Sequence, residues 1–366
     1  MPMRDRNSVA DGRITRFEIK AVEDEFEVWD VTDFSNTVKL QINGNVISDF
    51  WFNQLTDTLR EFVVFDNTVL RTPSKVGRVE NQNLHSLRNI DYVIITHPLF
   101  KSHAEQLAEL HRQADDFSVE VIEIAQVYNE FSGGVQDVTA IKELMRMLYK
   151  RAIAENGTLP GYLLLFGDAS YDYMNRVSGN SNFVPSYQTR NSLTPTASIV
   201  SDDYFGLLDD SEGEAMNDLV DVGIGRLPAR NRSEATAMVN KTLAYASTKS
   251  FGDWRNWVSF VADDAEENGN PHVFMEDAND LDQIIRDSAS RINVQKLFMD
   301  AFTQEAGSGG QRYPDGAKAI SERVQKGALM MYYIGHGGEL GWGHERFLEV
   351  ATINKWTNSP RLPVFI

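Results

Sequence analysis

The chain has 366 residues, a formal net charge of −18 and a pI near 4.8. With no basic face to displace counterions from phosphates, nucleic acid is excluded as a partner on charge. The 42% of hydrophobic residues can fill a large core, no apolar run is long enough to span a membrane, and zero cysteines exclude disulfides and thiolate metal sites.

The amino end, MPMRDRNSVADGRITRF, holds no apolar segment of the signal-peptide kind. Residues 1–83 read as a β-rich segment, the end of an amino-terminal β-domain. ITRFEIKAV, FEVWDVT, TVKLQING and REFVVFD alternate apolar and polar positions between turn-formers, as strands with one wet face do. A first α/β subdomain is predicted over 84–230. DYVIITHP is a short apolar strand, SHAEQLAELHRQADDF a helix, and VEVIEIAQVYNEF a strand. DVTAIKELMRMLYKRAIAENG reads as a helix capped by Asp137 with Gly157 past its end, and PGYLLLFGDASYD as a strand and loop. Residues 171–202 form a polar loop region, DDYFGLLDD and LVDVGIGRLPA read as strands, and RSEATAMVNKTLAYAST as a helix.

A second α/β subdomain, 231–366, carries the strands WVSFVADD, NVQKLFMD, ALMMYYIGHGG and LPVFI. Two helices, FMEDANDLDQIIRDSAS and GAKAISERVQKG, and the loop AFTQEAGSGGQRYPD lie between them. Strand–helix alternation with apolar strands predicts parallel, helix-covered sheets. Functional loops of such sheets lie at the carboxyl ends of the strands. Three ends are polar or glycine-rich here: LLLFGDAS, SFVADDAEENGN and YYIGHGG, which are expected to share one edge.

His336 sits between Gly335 and Gly337–Gly338 at such an end. An imidazole there is placed for proton transfer near neutral pH, with backbone N–H groups open to a ligand. Asp263 and Asp264 end SFVADD, and either could fix the imidazole tautomer. The other acidic and histidine clusters are weaker. GDAS, with Asp168, lacks the Lys-Ser/Thr of a phosphate loop, so a phosphate-handling hydrolase is a third choice. SDDYFGLLDDSEGEAMNDLVD offers oxygens to calcium without EF-hand spacing. His97, His103 and His111 lack zinc-motif spacing, and Trp254 and Trp342 read as packing residues.

GHGGELGW in its strand–loop setting resembles the gingipain-type cysteine peptidases, a caspase-related family. The likeness runs over about 88–366 and recurs in order: LLLFGDASYD, SDDYFGLLDD, VGIGRLPARNRSEATAMVNKTLAYAS, FVADDAEENG and YYIGHGG. Within the family, EVWDVTD and YNEFSGGVQDVTAIKELM are similar to a surface-located, sortase-like branch of the type IX secretion system. The resemblance implies a caspase-like α/β catalytic domain with two adjacent, mostly parallel, helix-covered sheet subdomains after the β-rich segment. It implies His336 as general base, the Gly337 N–H as oxyanion donor and Asp264 or Asp263 as the orienting acid. It implies no cofactor, with calcium admissible as a structural ion. It further implies cleavage of C-terminal sorting signals of secreted cargo on the extracellular side of the outer membrane, with other secretion-system components as partners. The family's nucleophile is a cysteine at the end of the next strand, here LPVFI, so the expectation is a fragment ending just before it. The acid that reads a basic side chain in gingipains has no counterpart, since HVFMEDAND places Met275 there; specificity for arginine or lysine is not implied. A non-catalytic α/β binding or assembly module is the alternative.

Overall fold

The computed structural model describes residues 2–20, 26–45, 47, 49–66, 70, 72, 74–75, 77–174, 176–189, 193–194, 197–213, 218–265, 271–308 and 310–366. The chain forms two compact units, residues 1–81 and 82–366.

The first unit is antiparallel. One sheet pairs Glu27–Asp30 with Phe62–Phe65 and Val38–Lys39, and another pairs Ile14–Ile19 with Asp49–Leu55 and Asn43–Asn45. Phe17, Ile19, Val28, Phe50, Phe52 and Phe62 make its core. Sequence reading missed Asp49–Leu55, in which the consecutive aromatics Phe50, Trp51 and Phe52 obscure the alternation that buries Phe50 and Phe52.

The second unit holds two four-stranded sheets, both wholly parallel. The first is built from β1 (Tyr92–Thr96), β2 (Val119–Glu123), β3 (Tyr162–Phe166) and β4 (Gly223–Leu227), in the order β4-β3-β1-β2. Helices α1 (Lys101–Ala114), α2 (Ile124–Phe131), α3 (Thr139–Glu155) and α4 (Arg232–Ala246) accompany it. Successive strand residues serve opposite faces. Val93, Ile95, Leu163 and Leu165 join the core that contains α2 and α3, while Ile94, Leu164 and Phe166 join the core of α1 and α4. Burial on both faces explains why these strands read as unbroken apolar runs.

Two expectations are corrected here. VEVIEIAQVYNEF is a strand only to Glu123 and a helix from Ile124. Glu123 and Gln126 form a reciprocal capping box, and Ile124, Val127, Tyr128 and Phe131 recur at helical spacing toward the core. DDYFGLLDD contains a 3-10 turn, Asp203–Gly206, in place of a strand, with Tyr204, Phe205, Leu207 and Leu208 buried together. Asp137 accepts from Thr139 N at 2.8 Å, one residue before the cap at Val138.

The second sheet comprises β5 (Trp257–Ala262), β6 (Asn293–Phe298), β7 (Met330–Ile334) and β8 (Val364–Phe365), in the order β6-β5-β7-β8. Helices α5 (Val273–Ser288) and α6 (Pro314–Lys326) lie on opposite faces. Val258, Phe260 and Ala278 pack on the α5 side, and Val261, Met331, Ile320 and Val324 on the α6 side. LLLFGDAS therefore ends a strand of a different sheet from SFVADD and YYIGHGG, so only two of the three polar strand ends are neighbours in one sheet.

Candidate active site

β5 and β7 are adjacent, and their last residues, Ala262 and Ile334, are register partners. The two chains thus leave the sheet side by side, with Asp263 N donating to Ile334 O at 3.0 Å. Gly335 permits this approach. Its φ is +157°, and a Cβ there would stand 2.4 Å from Asp263 Cβ and 2.6 Å from the Tyr333 hydroxyl. Only glycine fits.

His336 follows and is fastened to Asp263 twice. Its backbone N–H donates to Asp263 Oδ2 at 2.9 Å, and its Nδ1 lies 3.2 Å from the same oxygen. The acid is 1% exposed, whereas the imidazole side chain is 48% exposed. A buried carboxylate at this distance from a half-exposed ring favours the tautomer that carries its proton on Nδ1. The Tyr333 hydroxyl donates to His336 O, which also accepts from Gly343 N at 2.9 Å. The Phe274 ring meets the imidazole edge to face at 5.3 Å, and the His344 ring lies 5.4 Å away.

Asp264, the other expected acid, turns elsewhere. It is half-buried and its Oδ2 accepts from the Tyr313 hydroxyl at 2.8 Å. Burial and the neighbouring Asp263 and Asp300 carboxylates push its pKa up against the opposing Tyr313 bond. One carboxylate oxygen of each of Asp263, Asp264 and Glu345 lies within 4.8 Å of the others. Glu345, Phe274, Tyr333 and His344 carried no sequence signal. Glu345 reaches the site because the chain turns back after a short hairpin that pairs Gly337 with Trp342.

Gly337 is exposed, with nothing within 4 Å of where a Cβ would stand. It borders a cleft of about 540 Å³ whose walls include Trp342, Leu348 and Ile353. Trp342 stacks on Tyr333 at 4.3 Å. On the far side of the histidine strand, β8 runs parallel to β7, pairing Val364 with Met330 and Phe365 with Met331.

The other singled-out residues are not part of this group. Asp168 accepts from Ser181 Oγ at 2.6 Å at the end of β3. Arg226 of β4 binds Asp202 through Nε at 2.7 Å and Nη2 at 2.8 Å, and also the carbonyls of Gly167, Val184 and Pro185. The GD, SDD and IGR segments are thereby one structural knot. Within the acidic stretch, Asp210 pairs with Arg146 and Lys150, and Asp221 accepts from Leu208 N; residues 214–217 lie outside the described residues. His97, His103 and His111 bond separately to Leu99 N, Thr236 and Asp115. Trp254 is buried, and Met275 is half-buried beside Phe274 at the start of α5.

Known proteins give the arrangement its context. Residues 85–366 match the family model described as peptidase family C25. Among solved structures, dimeric latent PorU from Porphyromonas gingivalis matches at 29% identity and a TM-score of 0.58, over 69% of this chain and 25% of that one. The chain thus spans about a quarter of that protein's length. The Arg-specific cysteine proteinase gingipain R matches in fold, at 19% identity and a TM-score of 0.53, over 76% of this chain and 54% of that one. No curated protein sequence matches the chain. The match over residues 85–366 places the chain in peptidase family C25, the gingipain family of cysteine peptidases.

Proposed function

We propose that residues 82–366 are the greater part of a cysteine endopeptidase catalytic domain in which His336 is the general base and Asp263 its orienting acid. The observation that carries this reading is the buried Asp263 carboxylate 3.2 Å from Nδ1 of a half-exposed imidazole. In the proposed cycle Nε2 takes the proton of a cysteine thiol, and the thiolate attacks the scissile carbonyl. The Gly337 N–H stabilises the resulting oxyanion, a donor worth roughly 3 kcal/mol in comparable sites. The imidazolium then protonates the leaving amine as the C–N bond breaks. A water or an acceptor amine, deprotonated by the same nitrogen, resolves the thioester. Asp264 serves beside this pair, through Tyr313, and not on the ring.

The 366 residues contain no cysteine, so the thiol of this reading lies in residues following Ile366. Two features support that position: β8 is the neighbour of the histidine strand, and it runs parallel to it, so both carboxyl ends leave at the same edge. The proposal extends to biology. The likeness to PorU supports a surface-located peptidase that removes C-terminal sorting signals from secreted proteins in a type IX secretion system, with other components of that system as partners. Among the described residues no helix is long and apolar enough to cross a membrane.

The test compares this chain with one extended through the first downstream cysteine. The extended chain should cleave sorting-signal peptides, lose that activity to thiol alkylation, and lose it again on His336→Ala; the 366-residue chain should be inactive. The missing cysteine also fits a non-catalytic assembly module. Activity from the 366-residue chain, or a continuation without cysteine, contradicts the peptidase reading.

A further inference from the structure

The His336 carbonyl is held by two donors, one from each side of the loop. The Tyr333 hydroxyl donates to it from the end of β7, and Gly343 N donates at 2.9 Å from the returning arm of the hairpin. The His336–Gly337 peptide bond is trans. In a planar trans peptide the C=O and the following N–H point in opposite directions. Anchoring His336 O therefore sets the direction of the Gly337 N–H, which leaves on the side away from both donors.

The hairpin ladder gives the same direction. The bond from Gly343 N to His336 O makes the next pair, Gly337 with Trp342, one of the kind whose backbone groups face away from each other. Trp342 follows that rule, with its N–H donating outward to Leu348 O at 3.0 Å.

Tyr333 is itself firmly seated. Its ring stacks on Trp342 with an interplanar angle of 7° and meets Phe347 edge to face at 5.8 Å. Gly335 leaves room for the hydroxyl, since a Cβ there would stand 2.6 Å from it. Burial, followed by the Asp263 charge, pushes the phenol well above the usual tyrosine range, so the hydroxyl keeps its proton and stays a donor. Without such an anchor, a peptide leading into Gly337 and Gly338 has wide freedom to turn.

We propose that Tyr333 is a positioning residue for the oxyanion donor: its hydroxyl fixes the His336–Gly337 peptide so that the Gly337 N–H meets the developing negative charge. This rests on the reading of residues 82–366 as a cysteine endopeptidase domain. It adds a residue that touches neither substrate nor imidazole and acts through the backbone alone.

The experiment uses Tyr333→Phe, which keeps the stacked ring and removes only the hydroxyl. His336–Gly337 is the one His–Gly pair in the sequence, so the 366-residue chain labelled with carbonyl carbon-13 histidine and nitrogen-15 glycine gives a single cross peak. The wild-type Gly337 amide should be as rigid as ordered backbone, with an order parameter of about 0.85, and the variant should fall toward about 0.6 with a moved His336 carbonyl resonance. A flexible wild-type amide overturns the proposal even if the variant does not fold, and so does a variant peak identical to wild type.

The second arm uses the chain extended through the first downstream cysteine. Loss of an oxyanion donor costs roughly 10²–10³ in kcat, so partial loss of its orientation should lower kcat about tenfold with KM unchanged. The rate of cysteine alkylation by iodoacetamide, and its pH profile, should match wild type, because they read the Cys–His pair and no oxyanion. An unchanged kcat, or alkylation that slows along with kcat, overturns the role of Tyr333 while the peptidase reading stands. An extended wild type that does not cleave overturns that reading and the oxyanion role together.

Discussion

Arg226 offers the sharpest structural test, because its guanidinium uses five hydrogen bonds to tie three segments that lie far apart in sequence. Replacing it with methionine keeps the apolar stem and removes every donor. Among the described residues Asp202 then keeps only Ser186 Oγ, at 2.8 Å, as a side-chain donor, and the Gly167, Val184 and Pro185 carbonyls lose the guanidinium. The pair is sheltered, with side chains 15% and 21% exposed, so the loss is not screened as at an open surface. Removing one partner of a buried ion pair costs about 3–5 kcal/mol, and Gly167, Val184 and Pro185 are themselves buried, so their carbonyls add to the loss and Arg226→Met should cost about 4 kcal/mol or more. Asp202→Asn should cost about half of that, and the double variant should fall short of the sum by about 2 kcal/mol. Guanidinium unfolding of the full chain, followed by amide exchange in β3 and β4, measures these differences. A cost under about 1 kcal/mol for Arg226→Met, or strict additivity, would refute the knot.

Further outcomes follow from the same geometry. Gly335→Ala should destabilise by about 2 kcal/mol or more, since its Cβ would overlap Asp263 and Tyr333; an unchanged melting temperature contradicts the close approach. Burial pushes the Glu130 carboxyl up, but bonds from Leu84 N, Gln82 and His85 outweigh it and hold the pKa at about 2. A carboxyl depressed from 4.5 stabilises the fold fully above that value and loses the effect as pH falls toward 2. Glu130→Gln should therefore cost up to about 3 kcal/mol at pH 7 and flatten the decline in stability between pH 5 and pH 3. Parallel melting curves for the two proteins across that range would show that Glu130 contributes nothing there. Glu123→Ala should lower stability by about 1 kcal/mol through loss of the α2 cap, which urea unfolding reads directly.

Much of the second unit was legible because strands such as YVIIT and WVSFVA are buried on both faces and stand out as apolar runs. The helices between them carry a 3.6-residue period. Sequence reasoning failed where side chains overrule local pattern. At Glu123 a capping box converts an apparent strand into a helix. Around Asp202 the grip of Arg226 folds DDYFG into a turn. His336 was legible from its glycines, and so was the pair of candidate acids. The choice between them was not. Adjacent residues at a strand end point to opposite sides, and which one meets the ring depends on Ala262 pairing with Ile334. Glu345 was invisible for a related reason, since only the hairpin after His336 returns it to Asp263 and Asp264.

The roles of His336 and Asp263 meet their most direct test in the imidazole tautomer, which can be measured on this cysteine-free chain. Nitrogen-15 NMR of labelled histidine, at a pH where the ring is neutral, separates Nδ1–H from Nε2–H. A general base backed by Asp263 requires the proton on Nδ1 in wild type and a loss of that preference in Asp263→Ala. A wild-type ring protonated on Nε2, or a tautomer indifferent to the substitution, would contradict it.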